Sequence, residues 1–166
     1  MKKIIIALVA VFAMTTAANA QKFGHVDSQS IIQSLPEITK VNGELQAEAQ
    51  KYDNELKELQ TELQTKAEEY DKNKATMSAT AQKEQEQKLQ DMYTKVQQTY
   101  QTNQQALQKK QQELMAPIQK KIQTAIQNVG KAGQYTYIIE QSSALYVGTS
   151  SKDVTAEVKA EINKLK

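Results

Sequence analysis

The sequence predicts an α+β protein in which a long antiparallel coiled-coil helical hairpin is inserted into a small β-sheet body. Three observations carry this. Leu45, Ala49, Tyr52, Leu56, Leu59, Leu63 and Tyr70 recur at alternating steps of three and four, with Lys66 filling the slot between Leu63 and Tyr70, which is a heptad seam. The pattern resumes at Leu89, Tyr93, Val96, Tyr100, Leu107 and Leu114, with Asn103 and Lys110 in polar slots. A fold-back near Met77 and Ser78 sets Leu63 by Tyr93, Leu59 by Val96 and Leu56 by Tyr100, so the two seams match in register. Short alternating apolar segments stand before and after this stretch, too brief for helices and suited to strands.

Charge supports the hairpin independently. Residues 37–71 hold 10 acids against 4 lysines, a net of −6, whereas residues 72–113 hold 7 lysines against 4 acids, a net of +3. An acidic helix thus faces a basic one. At ~1.5 Å per residue the outgoing helix, roughly 40 residues long, reaches about 60 Å.

In chain order, Lys2 and Lys3 precede an apolar run over residues 4–14, and Ala18-Asn19-Ala20 is a small-x-small cleavage pattern. Residues 1–20 therefore read as a signal peptide cleaved after Ala20, too short for a bilayer span of ~20 apolar residues. Residues 22–27 alternate as a strand, with Phe23 and His25 on one face and Gly24 and Val26 on the other. Asp27 caps a short helix carrying Ile31 and Ile32. Ser34-Leu35-Pro36-Glu37 is a capping box with proline in the first turn, and the long helix starts there. Pro117 falls inside the returning helix, because Ile118, Ile122, Ala125, Ile126 and Val129 continue the helical spacing beyond it. Its missing N–H predicts a kink and a hinge between arm and body. Gly130 and Gly133 are expected as left-handed caps. Residues 135–140 and 144–149 read as two strands of a hairpin around Gln141-Ser142-Ser143, and Asp153 caps a last helix bearing Val154, Val158, Ile162 and Leu165 on one side. The first strand and this last pair are expected to share one sheet. Residues 21–35 and 117–166 then form the body and residues 36–116 the arm.

Without Lys2 and Lys3, 19 lysines balance 19 acids and the mature chain is neutral. Arginine is absent, and its rigid fork is what phosphate and base-edge recognition prefers, so nucleic acid is not an expected partner. Cysteine is absent too, which rules out disulfides and a thiol nucleophile in an exported chain. With 39% hydrophobic and 5% aromatic residues, much of them in the first 20 residues and the seams, the body is thin for its size and association must supply burial. Phe23, Val26, Tyr135, Tyr137, Ile138, Ile139, Leu145, Tyr146 and Val147 give it more apolar strand surface than its helices can cover, and exposed strand edges need partners.

The residues supply no catalytic constellation. His25 is the single histidine and reads as a structural or interface residue; it could bind a metal only where several copies met at an axis. No phosphate-binding G-x-x-x-x-G-K-[ST] loop is present, and pairs such as Glu68 and Glu69 read as a solvated helix face. No cofactor or metal is expected. Glutamine is dense over residues 82–123 and reads as a good helix former on a wet surface. Ala67, Ala75, Met77, Ala79, Ala81 and Met92 lie off the seam or near the tip, small and flexible apolar groups suited to holding varied clients weakly.

Taken together, the K-F-G-H-V-D opening at residues 22–27, the arm, Y-I-I-E at 137–140, A-L-Y-V at 144–147 and D-V-T-A-E-V at 153–158 resemble the Skp/OmpH family of periplasmic chaperones. The closing segment is similar to that family's D-[IV]-T-x-x-[VIL] ending. The resemblance implies a jellyfish-like homotrimer whose strands join in a central body and whose three arms enclose a cavity. It also implies an ATP-independent holdase for unfolded outer-membrane β-barrel proteins. Basic relatives contact acidic lipid or lipopolysaccharide through arm lysines and arginines; a neutral chain without arginine does not inherit that expectation. The alternative is a structural coiled-coil envelope adaptor that binds one folded partner through the arm tip.

Overall fold

The computed structural model describes residues 21–165. The signal-peptide expectation for residues 1–20 lies outside them. Strand β1 (Phe23–Val26) leads through Asp27 into helix α1 (Ser28–Ser34), and helix α2 (Pro36–Asn73) follows. A single 3₁₀ turn (Lys74–Thr76) separates α2 from α3 (Ala79–Gly133). Strand β2 (Tyr137–Glu140), a second 3₁₀ turn (Gln141–Ser143), strand β3 (Ser151–Asp153) and helix α4 (Thr155–Ile162) complete the chain. The described residues fall into two compact units, 21–31 with 121–165, and Ile32–Lys120. Among the described residues no helix is long and apolar enough to cross a membrane.

In the sheet-bearing unit β1 is central and both neighbours run parallel to it, in the order β2-β1-β3. Phe23 pairs with Tyr137 and Ser151, and His25 with Ile139 and Asp153. The expected hairpin is therefore corrected: residues 144–149 form no strand, and Ser151–Asp153 takes the far edge instead. Parallel strands on opposite sides of β1 cannot be joined by a tight turn. The connection after β2 has to return across the sheet, and Tyr146, Val147 and Gly148 line a recess there with Phe23, Tyr137 and Ile139. The opposite side holds the core. Val26, Ile31, Val154, Val158 and Ile162 are all buried, each worth about 1.5–3 kcal/mol for a fully buried large aliphatic side chain.

Hydrogen bonds tie the two ends of the chain together. The Asp27 N–H donates to Thr155 Oγ1 at 3.0 Å, the Val154 N–H to the His25 carbonyl at 2.9 Å and the Thr136 N–H to the Lys22 carbonyl at 2.7 Å. Asp27 caps α1 as expected, accepting from the Ser30 N–H at 2.8 Å. Asp153 accepts from the Thr155 N–H at 2.9 Å, one residue ahead of the N-cap Val154. Together with the Thr155 hydroxyl, this bond holds the Asp153 carboxyl below its usual range.

Two helix ends also differ from expectation. α2 starts one residue later than a Ser34 cap would place it, with extended Leu35 as N-cap and Pro36 in the first turn. α3 runs through Pro117 and Gly130 to Gly133, and no described glycine has positive φ; Gln134, at φ 54°, makes the left-handed turn. Gly133 is needed for space instead, because a Cβ there would collide with the Tyr135 ring. Lys22 completes this end, donating to the Gly133 carbonyl at 2.9 Å with its ammonium 4.2 Å from the centre of the Tyr135 ring. A cation at a helix C-terminus is favourable.

The other unit is the antiparallel hairpin of α2 and α3. Tyr70 donates to Glu86 at 2.5 Å and Asn103 to Glu55 at 3.2 Å across it. Both contacts fit a fold-back near Ser78. Two seam positions shift. Ala67, half-buried, fills the slot between Leu63 and Tyr70, while Lys66 is exposed and pairs with Glu69 at 2.8 Å. On α3, Met92 and Thr99 face inward, and Tyr93 and Tyr100 stand at the rim, 51% and 54% exposed. On α3 either neighbour keeps the steps of three and four, and on α2 the step of four from Leu63 to Ala67 stays on the same helix face as a step of three would.

The opposition of charge falls on one flank. Glu48, Glu55, Glu62 and Glu69 repeat every seven residues along α2, and Lys88, Lys95 and Lys109 share one column of α3; Glu69 and Lys88 line a common cleft. Direct ion pairs along the helices are mostly local, as in Lys51–Glu48 and Lys109–Glu113. Surface pairs of this kind stabilise little.

At the tip Glu86 accepts from the Tyr70 hydroxyl, and Lys74 lies 3.9 Å from Glu86 and 5.3 Å from the centre of the Tyr70 ring. The hydrogen bond to Glu86 is the main cause that pushes the Tyr70 phenol up to about 12. A raised phenol pKa favours the protonated folded form, so this stabilisation is complete below about pH 10 and is lost as pH rises through about 12. Tyr70 followed by NMR should titrate near pH 12 in the wild type and fall toward the ordinary value in Glu86→Gln. Titration of Tyr70 at the ordinary value in the wild type would contradict the pair.

Candidate functional site

Two surfaces of the described residues are unusual for their apolar content. The first is a cleft of about 550 Å³ near the hairpin turn. Tyr70 reaches it from α2, Leu89 and Met92 from α3, and Met77 from the segment between them. Met77 is extended, at φ −86° and ψ 146°, and its N–H donates to the Lys74 carbonyl at 3.2 Å, so the turn itself aims the side chain. Gln82 locks the segment further, its amide donating to the carbonyls of Lys74 at 2.9 Å and Met77 at 3.3 Å. Lys66, Glu69, Lys88 and Asp91 rim the cleft.

Of the six candidate contact residues, the structure brings Met77 and Met92 together in this cleft. Ala67 is half-buried on the seam, Ala81 is half-buried beyond the turn, and Ala75 and Ala79 are exposed. These four alanines do not line the cleft. A pair of thioethers beside Leu89 and Tyr70 offers a soft, adaptable apolar surface. What it can do is accept apolar side chains of varied shape at its open mouth.

The second surface is the side of the sheet away from its core. Phe23, Tyr137 and Ile139 share it by register, and Phe23 and Tyr137 stack with ring centroids 6.3 Å apart. Tyr137 is 64% exposed, Tyr146 is 85% exposed and Leu145 is fully exposed. Tyr135, Ile138 and Val147 are half-buried, and only Val26 of the nine expected body residues belongs to the covered core. His25 sits on the Phe23 side, buried, with Nδ1 3.0 Å from Ser151 Oγ. That contact partners Nδ1 and gives His25 a structural part in joining β1 to β3. Among the described residues no group of three or more His, Cys, Asp or Glu side chains could hold a metal ion.

The exposed tyrosines of α3 were not legible as surface. Between Leu89 and Val96 either Met92 or Tyr93 keeps heptad spacing, and the same choice arises with Thr99 and Tyr100 before Asn103. The Tyr93 hydroxyl accepts from the Gln97 amide at 2.7 Å, which is satisfied more easily at the rim than inside a narrow seam.

Comparison with known proteins agrees with this architecture. A family model described as outer membrane protein (OmpH-like) matches residues 22–162. A crystal structure from Caulobacter crescentus CB15, described as an OmpH-like outer membrane chaperone, has the same fold. Its TM-score is 0.74 at 20% identity, covering 89% of this chain and 87% of that one. Comparison with curated proteins finds no match. The sheet with its long inserted hairpin, together with a family match over nearly all described residues, places the chain in the OmpH-like outer membrane protein family.

Proposed function

We propose that the protein is an ATP-independent periplasmic holdase. It keeps unfolded outer-membrane β-barrel proteins apart until they insert, as a homotrimer whose hairpins enclose the client. The observation that carries the reading is the open cleft of the hairpin, in which Met77, Leu89, Met92 and Tyr70 offer an apolar surface rimmed by Lys66, Glu69, Lys88 and Asp91. The family match and the chaperone description of the Caulobacter neighbour support it. Each contact is small, at most about 1.5–3 kcal/mol for a fully buried side chain, so retention depends on many contacts at once. Weak individual contacts also let the client leave when insertion competes.

The exposed sheet face supports assembly of the trimer. Phe23, Tyr137, Ile139 and Tyr146 form one apolar surface, with exposed Leu145 next to Tyr146 in the chain, on a body with little core of its own. Such surfaces mark association sites, and the open edges of β2 and β3 can accept further strands.

Sedimentation equilibrium at micromolar concentration should give a trimer for the wild type, and Leu145→Ser with Tyr146→Ser should shift it toward monomer by at least tenfold in dissociation constant. Both residues are exposed in the single chain, so the variant should keep its helical circular dichroism. A monomeric wild type, or a variant that assembles as well as wild type, would end this part of the reading. The holdase itself is tested by diluting several unrelated urea-unfolded barrel proteins into the mature protein and recording light scattering. Suppression for all of them is expected; saturable binding of one folded partner without suppression would favour an adaptor.

A further inference from the structure

The two flanks of the hairpin differ in chemistry. One carries the glutamate column of α2 and the lysine column of α3. On the other, Gln60 of α2 meets Val96, Gln97, Tyr100 and Gln101 of α3 in one groove of about 450 Å³. Heptad spacing extends this surface in both directions: Gln104 and Gln111 repeat Gln97, Gln108 repeats Gln101, and Tyr93 repeats Tyr100. Across the groove, Gln46 repeats Gln60, and Gln50 and Gln64 lie in the adjacent column. Asp53 and Lys57, one turn apart and opposite in sign, are the charges that interrupt these columns. Among the described residues Gln101, Gln104, Gln108 and Gln111 are exposed, and their side-chain amides have no hydrogen-bond partner there.

Resting on the holdase reading, we propose that this charge-poor glutamine and tyrosine flank is the surface along which an extended, unfolded β-barrel segment lies. The methionine cleft takes up only the tip end of the charged flank, beside Glu69 and Lys88; laying an extended chain along the rest of that flank would desolvate a column of carboxylates and ammonium groups, which is costly. Covering the other flank displaces water from neutral amides that can replace it with client hydrogen bonds. An extended segment presents unpaired backbone N–H and C=O groups, and each glutamine amide offers two donors and an acceptor whatever the client sequence. The exposed rings of Tyr93 and Tyr100 supply apolar area beside those amides, suited to the alternating aromatic and aliphatic side chains of barrel strands.

Spacing is compatible without demanding one register. Glutamines at steps of three and four recur every ~5 Å along a helix, whereas side chains on one face of a strand recur every ~6.7 Å. The long, flexible glutamine side chain absorbs the difference. A surface that tolerates sliding suits a client held without a fixed structure.

The test introduces charge without changing size. Gln97→Glu, Gln104→Glu and Gln111→Glu together place three carboxylates on the flank, and Gln98→Glu, Gln105→Glu and Gln112→Glu place three outside it, on the column next to Lys95 and Lys109. Client affinity for a urea-unfolded outer-membrane barrel protein is measured for both variants and the wild type at 0.1 M and 0.5 M salt, with circular dichroism and sedimentation as controls. The flank variant should bind at least tenfold more weakly at both salts, because desolvation is not relieved by screening, while the outward variant stays within about twofold of wild type. Tyr93→Gln with Tyr100→Gln should weaken binding as well. Equal binding by wild type and both flank variants overturns the flank assignment and leaves the holdase reading standing. Failure of the wild type to bind removes the holdase reading and this proposal with it. A flank variant that alters sedimentation but not client binding would show that the flank meets a second copy of the chain, which also overturns the proposal.

Discussion

The hairpin depends on one narrow apolar seam. Leu45, Leu56, Leu59 and Leu63 from α2 and Leu89, Val96, Leu107 and Leu114 from α3 supply most of its burial, and all are only half-buried because two helices cannot enclose one another. Everything outside that seam stays wet. With so little area to decide alignment, polar groups inside the seam set the register. Asn103, buried against Glu55, and Tyr70 against Glu86 each have their partner in one alignment alone. A buried polar group that would be unsatisfied after a slip of one turn specifies alignment more sharply than interchangeable leucines do.

The seam also explains why the surface divides. Two helices touching along one line have two flanks, and the sequence is free to give each its own chemistry. One flank received alternating glutamates and lysines, the other neutral amides with two exposed tyrosines. The first favours the antiparallel pairing over alternatives. The second leaves a surface whose charges, Asp53 and Lys57, lie one turn apart and are opposite in sign, so that covering it strands far less charge than covering the first. In the sheet-bearing unit the same shortage of apolar residues leads to a different result: α4 and α1 cover one side of three short strands, and Tyr137, Leu145 and Tyr146 stay exposed among the described residues.

The hairpin was legible in the sequence because its signal is periodic over many turns, and the turn at Met77 and Ser78 followed from matching the two seams. Periodicity could not choose between Met92 and Tyr93, or Thr99 and Tyr100, since either neighbour preserves the steps of three and four; a phenol is more easily placed at the rim than in a narrow seam. Residues 144–149 looked like a strand because β-propensity reads one segment at a time, whereas a strand exists only beside a partner edge. Ser151–Asp153 took that edge although it carries no apolar pattern, held by the register of His25 with Asp153 and by the bond from Val154 to His25. Among the candidate contacts, Met77 and Met92 could be named from composition but not joined, because their shared cleft depends on the extended turn that aims Met77.

Capture without long-range charge is the central claim for the proposed function. The hairpin stretch from Glu37 to Glu113 has a net charge of −3 and no arginine, so it cannot gather an acidic client from a distance. Contact through Met77, Met92 and the neutral flank has to hold it. With a Debye length of ~10 Å at 0.1 M and ~3 Å at 1 M salt, added salt removes charge attraction and leaves apolar contact intact. The most direct measurement is the affinity of the wild-type protein for one unfolded outer-membrane barrel protein across that range of salt. A change of less than about threefold is the expected result, and a loss of tenfold or more would contradict the account.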